Sequence, residues 1–225
     1  MVFWLVNLAG LAAAYLLGST PTAYWAGKML KGIDIREHGS GSVGATNAMR
    51  TLGKGPGLVV LLVDVLKGAA AIAFVRWILA WSYAAPSVAP AGLGLVSWTT
   101  WAVCLAGLAV VAGHSRSIWL GFTGGKSAAT GLGVLLAISW PVGLGAGAAF
   151  VAVLAISRIA SLSSMLAALV AVALVFSLEQ PIAYRLLVTA GAAYVIARHR
   201  ANIQRLRAGT EPRVGQGGAE SKARG

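Results

Sequence analysis

Ser127-Ala-Ala-Thr-Gly-Leu-Gly-Val-Leu-Leu-Ala-Ile-Ser139-Trp140-Pro141-Val-Gly-Leu-Gly-Ala-Gly-Ala-Ala-Phe-Val-Ala-Val-Leu-Ala-Ile-Ser157 is the stretch on which the fold turns. Proline inside a helix removes a hydrogen bond and crowds the preceding turn, so Ser139-Trp140-Pro141 either kinks one helix or reverses the chain between two short ones. One kinked helix gives six membrane spans; a reversal gives seven.

The chain as a whole is also strongly apolar. Hydrophobic residues make up 58% of the 225, mean hydropathy is +0.78 and only 11% are charged, which excludes an ordinary soluble domain. A helix needs about 20 apolar residues to cross hydrocarbon. Apolar runs fall at 2–25, 56–81, 92–113, 127–139, 141–157, 164–178 and 182–197, so the expectation is an all-α, polytopic integral membrane protein with seven transmembrane helices over residues 1–207. Residues 208–225, rich in Gly, Arg and Lys, are expected to be a basic, disordered cytoplasmic tail. The first basic residue is Lys28, so the first run reads as a retained helix and not as a signal peptide. Cys104 is the lone cysteine, so no intrachain disulfide is expected.

Charge chooses between six and seven spans. With seven, segments 26–55, 114–126, 158–163 and 198–225 share one face. Of 18 Lys and Arg residues, Arg76 and Arg185 lie towards the other face and Lys67 lies within the second span. The remaining 15 make the first face cytoplasmic by the positive-inside rule. The N-terminus is then outside and the C-terminus cytoplasmic. The same sorting accounts for the net charge of +12 without nucleic acid.

Three polar stretches collect on that face: Gly39-Ser-Gly-Ser-Val-Gly-Ala-Thr-Asn-Ala-Met-Arg50, Gly121-Phe-Thr-Gly-Gly-Lys126-Ser-Ala-Ala-Thr130 and Arg158-Ile-Ala-Ser-Leu-Ser-Ser164. Gly39, Gly41 and Gly44 satisfy a dinucleotide fingerprint, but no strand precedes them and no βαβ unit can be drawn. Gly121 to Ser127 is one residue short of a nucleotide-binding P-loop. What remains is a general anion-binding chemistry. Glycines let successive N–H groups face a phosphate, a helix starting after Lys126 adds its positive end, Ser40, Thr46, Ser163 and Ser164 add hydroxyls, and Arg50 and Lys126 add charge.

Two further clusters stand out. Asp64 and Lys67 can pair on one helix face, either in function or as an anchor for neighbouring loops. His199 and Asn202 share a face at the end of the last span, where His199 can serve as ligand donor or proton acceptor.

Tyr15-Leu-Leu-Gly-Ser-Thr-Pro21, the Gly39–Arg50 stretch, Asp64-Val-Leu-Lys67-Gly68, Gly113-His114, Gly124-Gly-Lys126, Ser161-Leu-Ser-Ser164 and Arg198-His-Arg-Ala-Asn202-Ile together resemble the bacterial acyl-phosphate:glycerol-3-phosphate acyltransferases of the PlsY type. The resemblance runs in order from about residue 10 to Glu211. It implies a seven-helix enzyme of the bacterial inner membrane with its site on the cytoplasmic face. Such an enzyme moves an acyl chain from acyl phosphate to the 1-hydroxyl of sn-glycerol 3-phosphate, giving lysophosphatidate and phosphate, the first acylation of phospholipid synthesis. It implies no cofactor, metal, acyl-CoA or acyl carrier protein, and no obligate protein partner.

By the same resemblance, Ser40, Arg50, Lys126, His199 and Asn202 would be catalytic, with Gly39, Gly41, Thr46, Asn47, Gly124, Gly125, Ser163 and Ser164 binding substrate. Ser42-Val43 stands where the family usually has Asn-Pro, Ser117 where proline is common and Ser127 where glycine usually follows the lysine. The other functional class compatible with the residues is a carrier for a small phosphorylated solute. Carriers, however, tend to have matching halves and a site at the bilayer midplane, and this chain points to neither.

Overall fold

The computed structural model describes residues 1–83 and 94–215. Most of the stretch between the apolar runs expected at 56–81 and 92–113, and positions 216–225 of the expected tail, lie outside the described residues. Ten α-helices are present among the described residues: α1 (Val2–Ser19), α2 (Thr22–Lys31), α3 (Ala45–Thr51), α4 (Lys54–Tyr83), α5 (Leu95–Ser115), α6 (Ala128–Ile138), α7 (Trp140–Ser157), α8 (Ala160–Ser177), α9 (Ile182–Arg198) and α10 (Arg200–Arg207).

The fold is all-helical, and five stretches are long and apolar enough to cross a membrane: Val2–Lys31, Lys54–Tyr83, Leu95–Ser115, Trp140–Ser157 and Ala160–Ser177. α6 and α9 are shorter, at 11 and 17 residues. The run expected at 2–25 is broken in two. Pro21 has no N–H to give to a helix and disfavours the helical conformation in the residue before it, and Thr20 accordingly has φ −51° and ψ 113°.

At Ser139 the chain reverses. Ser139 is extended, at φ −157° and ψ 99°, and α7 starts at the next residue with proline in its first turn. Gly143 faces Leu136 and Gly147 faces Leu132, the register of an antiparallel pair. A single kinked helix is therefore excluded. α4 and α6 also cross so closely that a Cβ on Gly133 would overlap the backbone carbonyl of Val65. Small residues permit this approach where lipid supplies no hydrophobic drive for helix association.

The main core gathers Ala14 of α1, Ile72 and Val75 of α4, Val103 and Val110 of α5, Val134 of α6, Val142 of α7, Val175 of α8 and Leu187 of α9. Arg76 is half-buried between α4, α6 and α9. It donates to the Ala137 carbonyl (2.6 Å) and to the Tyr184 hydroxyl (3.1 Å), satisfying an end carbonyl of α6 while tying α4 to α9. Outside, Trp77, Trp81, Trp140, Val151 and Ile156 are exposed, the apolar exterior that lipid requires.

A second, smaller core of Ala23, Ile35, Val43, Ala48, Leu52, Val60 and Leu120 holds the first polar loop against the start of α4. Val43, one of the departures from the family pattern, fills this core in place of the usual proline.

Candidate active site

The Gly39–Arg50 loop is built around Asn47. Its Oδ1 accepts the Ser40 N–H (2.8 Å), and its Nδ2 donates towards the carbonyls of Ser42 (2.9 Å), His38 (3.0 Å) and Ile35 (3.2 Å). With its polar atoms engaged in this way, buried Asn47 shapes the loop from within. Gly39 and Gly41 turn the chain at φ 62° and 69°, in the left-handed region where glycine has no steric penalty. Ser40, Thr46 and Arg50 are left exposed on the concave side.

The second loop is pinned from both sides. Gly125 N–H donates to the His114 carbonyl (3.1 Å), and Arg198 donates to the carbonyls of Gly125 (3.0 Å) and Gly124 (3.2 Å). Ser127 is left-handed, at φ 63°, which is why a glycine suits this position. The serine's hydroxyl donates to the Val111 carbonyl (2.9 Å) and meets the Ser115 hydroxyl (2.5 Å), contacts that a glycine could not make. Ser117 likewise uses its hydroxyl, donating to the Ser19 carbonyl (2.6 Å).

Beneath this loop is a buried polar group. Asp64 pairs with Lys67 (2.8 Å), accepts from the Thr22 hydroxyl (3.3 Å) and lies 3.8 Å from His114 Nδ1, while Lys67 also donates to the Thr20 carbonyl (3.1 Å). Each charge here has a partner, which is the condition for burial in a low-dielectric interior.

The remaining polar groups converge from α8, α10 and the chain beyond. Lys126 Nζ donates to Asn202 Oδ1 and Asn202 Nδ2 donates to Glu211 Oε1. The Ser161 hydroxyl donates to the same oxygen (2.7 Å), and Arg205 Nε donates to Glu211 Oε2 (2.7 Å). Val214 N–H donates to the Arg158 carbonyl (2.7 Å). Glu211 and Val214 thus hold the residues that follow Ala208 against α8 and α10.

Burial would raise the Glu211 carboxyl, but hydrogen bonds from Ser161, Asn202 and Arg205 outweigh it and hold the group below its usual value. Burial pushes the Lys126 amine below the usual lysine value; Glu211 opposes that shift, and Arg205, Arg198 and Arg50 reinforce it.

His199, at the end of α9, has Nδ1 2.7 Å from the Val195 carbonyl. A carbonyl can only accept, so Nδ1 carries the proton of the neutral ring and Nε2 keeps its lone pair. Burial, with Lys126 and Arg198 adding like charge against the Val195 bond, pushes the imidazole down to about 4.

All of this surrounds one cavity of about 750 Å³. Its polar end is formed by Gly39, Ser40, Thr46, Asn47, Arg50, Lys126, Ser161, Ser164, His199, Asn202, Arg205 and Glu211. Its other end is apolar and runs between α6, α7, α8 and α9, past Leu132, Phe150, Ala167, Ala171 and Leu187. Among the predicted residues, Gly41, Gly124, Gly125 and Ser163 do not line it. Ser163 is fully buried and donates to the Ile159 carbonyl (2.8 Å). Glu211 and Arg205 pair with each other and Asp64 pairs with Lys67, whereas Arg50 and Lys126 have no carboxylate partner among the described residues. Two cations and several hydroxyls at one end, with an apolar channel at the other, suit an anionic amphiphile. No group of three or more His, Cys, Asp or Glu side chains suited to a metal ion forms among the described residues.

The profile of a family described as glycerol-3-phosphate acyltransferase matches residues 8–209. The chain belongs to that family. It is 67% identical over 217 residues to glycerol-3-phosphate acyltransferase 2 of Rhizobium johnstonii, covering 96% of this chain and 99% of that one. It is 55% identical to glycerol-3-phosphate acyltransferase of Acaryochloris marina, covering 96% of each. Among solved structures it resembles PlsY, an integral membrane glycerol 3-phosphate acyltransferase, in the glycerol 3-phosphate form. That match has TM-score 0.77 and 34% identity and covers 93% of this chain and 96% of that one. The lysophosphatidic acid form matches with TM-score 0.76, 34% identity and coverage of 92% and 94%.

Within the family frame, sequence reading passed over Ser161, Arg205 and Glu211 as site residues. Glu211 had a signal, being one of only six acidic residues in the chain and standing in a basic segment. A lone acid amid arginines marks a partner worth seeking.

Proposed function

We propose that the protein transfers an acyl group from acyl phosphate to the 1-hydroxyl of sn-glycerol 3-phosphate, producing lysophosphatidate and inorganic phosphate. The observation that carries the reading is the single cavity that joins a cationic, hydroxyl-rich end to an apolar channel. Family membership and the solved relatives with glycerol 3-phosphate and lysophosphatidic acid support the acceptor and the product class.

Both substrates bring phosphate dianions together. Arg50 and Lys126, with Ser40, Thr46, Ser161 and Ser164, offset that repulsion and bring the acceptor hydroxyl close to the acyl carbon. The hydroxyl oxygen attacks the acyl carbonyl carbon, the new ester C–O bond forms and the acyl C–O bond to phosphate breaks, releasing phosphate. The hydroxyl proton goes to His199 Nε2 or to a substrate phosphate oxygen. The mixed anhydride is already activated, so no covalent enzyme intermediate is needed. Asn202 orients Lys126, and Gly39, Gly41, Asn47, Gly124 and Gly125 give the two loops their shape.

The fold around this site is read as seven membrane crossings in the bacterial inner membrane, with α6 and α9 as the short ones. The N-terminus is outside, and the C-terminus and cavity mouth are cytoplasmic. Support comes from the reversal at Ser139 and from the basic residues that collect at the mouth.

The test is phosphate release by detergent-purified protein given palmitoyl phosphate and glycerol 3-phosphate, with lysophosphatidate followed in parallel and acyl-CoA as control donor. Matched phosphate and lysophosphatidate from acyl phosphate alone are expected. No product from folded protein refutes acyl transfer, and a carrier would instead move its solute only across sealed liposomes.

A further inference from the structure

α9 buries Tyr184, Leu187, Val188 and Val195 along one face. Gly191 lies on that same face, seven residues after Tyr184, four after Leu187 and four before Val195, so it points into the bundle and not at lipid. Helix glycines in this protein otherwise tend to sit where two backbones touch, as Gly133 does against Val65 and Gly143 against Leu136. Gly191 differs, as do Gly55 at the start of α4 and Gly131 on α6: a Cβ built on it meets no atom within 4 Å. It lines the apolar end of the cavity.

A glycine in a helix interior weakens the helix relative to alanine, and here neither close packing nor a turn requires one. Its effect is to leave space in the channel. Small side chains recur along the channel, Ala146 and Gly147 on α7 beside Phe150 and Val151, and Ala167 and Ala171 on α8. The position is eight residues before His199, about 12 Å along the helix axis from the level of the proposed chemistry. A short acyl chain ends near this level, and a long one must pass it.

We infer that Gly191 determines which acyl chains the enzyme takes: its missing side chain is the gap through which the distal methylenes of a long-chain acyl phosphate run. This deepens the acyl-transfer reading and rests on it. An added methyl narrows the channel at that depth without pushing on a neighbouring backbone, and larger side chains fill it further. Discrimination then follows chain length and not phosphate recognition, which takes place at the other end of the cavity.

The experiment is the graded series Gly191→Ala, Gly191→Val and Gly191→Leu, assayed with dodecanoyl and palmitoyl phosphate at saturating glycerol 3-phosphate. The readout is the ratio of the two kcat/KM values, with melting in detergent recorded beside it. The expected result is a stepwise rise in the ratio favouring the shorter donor, reaching about tenfold at leucine, in line with what a few misfitted methylenes cost in an apolar pocket. A ratio that stays constant through the series overturns the inference, whatever happens to the absolute rates. Should leucine prevent folding, the alanine and valine steps still decide it. Wild-type protein that makes lysophosphatidate equally well with every variant's chain profile unchanged sinks the gap alone, whereas wild-type protein that makes none sinks the acyl-transfer reading itself.

Discussion

Glu211→Gln tests whether the segment after α10 belongs to the site. The Glu211 side chain is 7% exposed and accepts from Ser161, Asn202 and Arg205. Glutamine keeps one oxygen for Ser161 and Asn202 but turns the other position into an NH2 that faces the Arg205 donor. One charge-assisted hydrogen bond is lost, about 1.5–3 kcal/mol in a buried setting. The Arg205 side chain is 38% exposed, so water screens the pair and about 1–2 kcal/mol is the discounted figure. For a chain of this size that lowers the detergent Tm by about 2–4 °C per kcal/mol.

Activity falls as well, by roughly tenfold in kcat/KM, because Asn202 loses an anchored partner and Lys126 loses the nearby negative charge that holds its amine up. The acid side gives a second readout. Glu211 has a depressed pKa in the folded protein, so its contribution to stability is fully present above its ordinary value of 4.5 and is lost as pH falls through the lower folded value. Wild-type and Glu211→Gln melting curves therefore differ at neutral pH and converge below pH 4.5. Identical Tm, identical kcat/KM and parallel pH curves would refute the clasp and return the segment to the status of a tail.

Other consequences can be measured in the same assay. His199→Ala is expected to lose about 10²-fold in rate together with any acidic limb near pH 4, the value to which burial pushes the ring; full turnover with an unchanged pH profile removes histidine as base and leaves the phosphate oxygen. Lys126→Ala lowers kcat/KM by about 10²-fold or more, since it strips a cation from the phosphate end and frees Asn202; wild-type affinity and rate would end the phosphate-pocket assignment. Gly133→Ala forces α4 and α6 apart at the Val65 carbonyl and costs about 1–3 kcal/mol in melting, with an unshifted Tm contradicting the close approach.

Much of this was legible before any coordinates. Ser139-Trp140-Pro141 leaves a kink and a reversal both open, and the sorting of the basic residues to one face chooses the reversal. The recurrence of glycine, hydroxyl and cation announces an anion site because few other purposes bring them together. The choice among serines was less accessible. Ser163 and Ser164 both donate to carbonyls four residues back, but Ser161 and Ser164, three apart on one helix face, line the cavity while Ser163 is fully buried, a phase that depends on where α8 begins. Asn47 looked like a ligand residue, yet its hydrogen bonds go to carbonyls up to twelve positions away, and no local pattern encodes that. The apolar half of the cavity was hidden for a simpler reason. An alanine that lines a channel and one that faces lipid have the same hydropathy, so composition cannot separate them.

The shortness of α6 has a consequence for the membrane itself. Extending the register of its hairpin pairs Ala128 with Val151, six residues before α7 ends at Ser157, which recesses the start of α6 by about 9 Å along that helix. On the proposed seven-crossing topology, that recess would put Lys126 at the bottom of a well and not at the water surface. A donor anchored in the bilayer needs to sink its phosphate only partway to meet it, while water must stand as a column above. Bilayer thickness becomes a variable of the reaction: a thicker leaflet deepens the well and lengthens the path for the soluble substrate, and a thinner one shortens it.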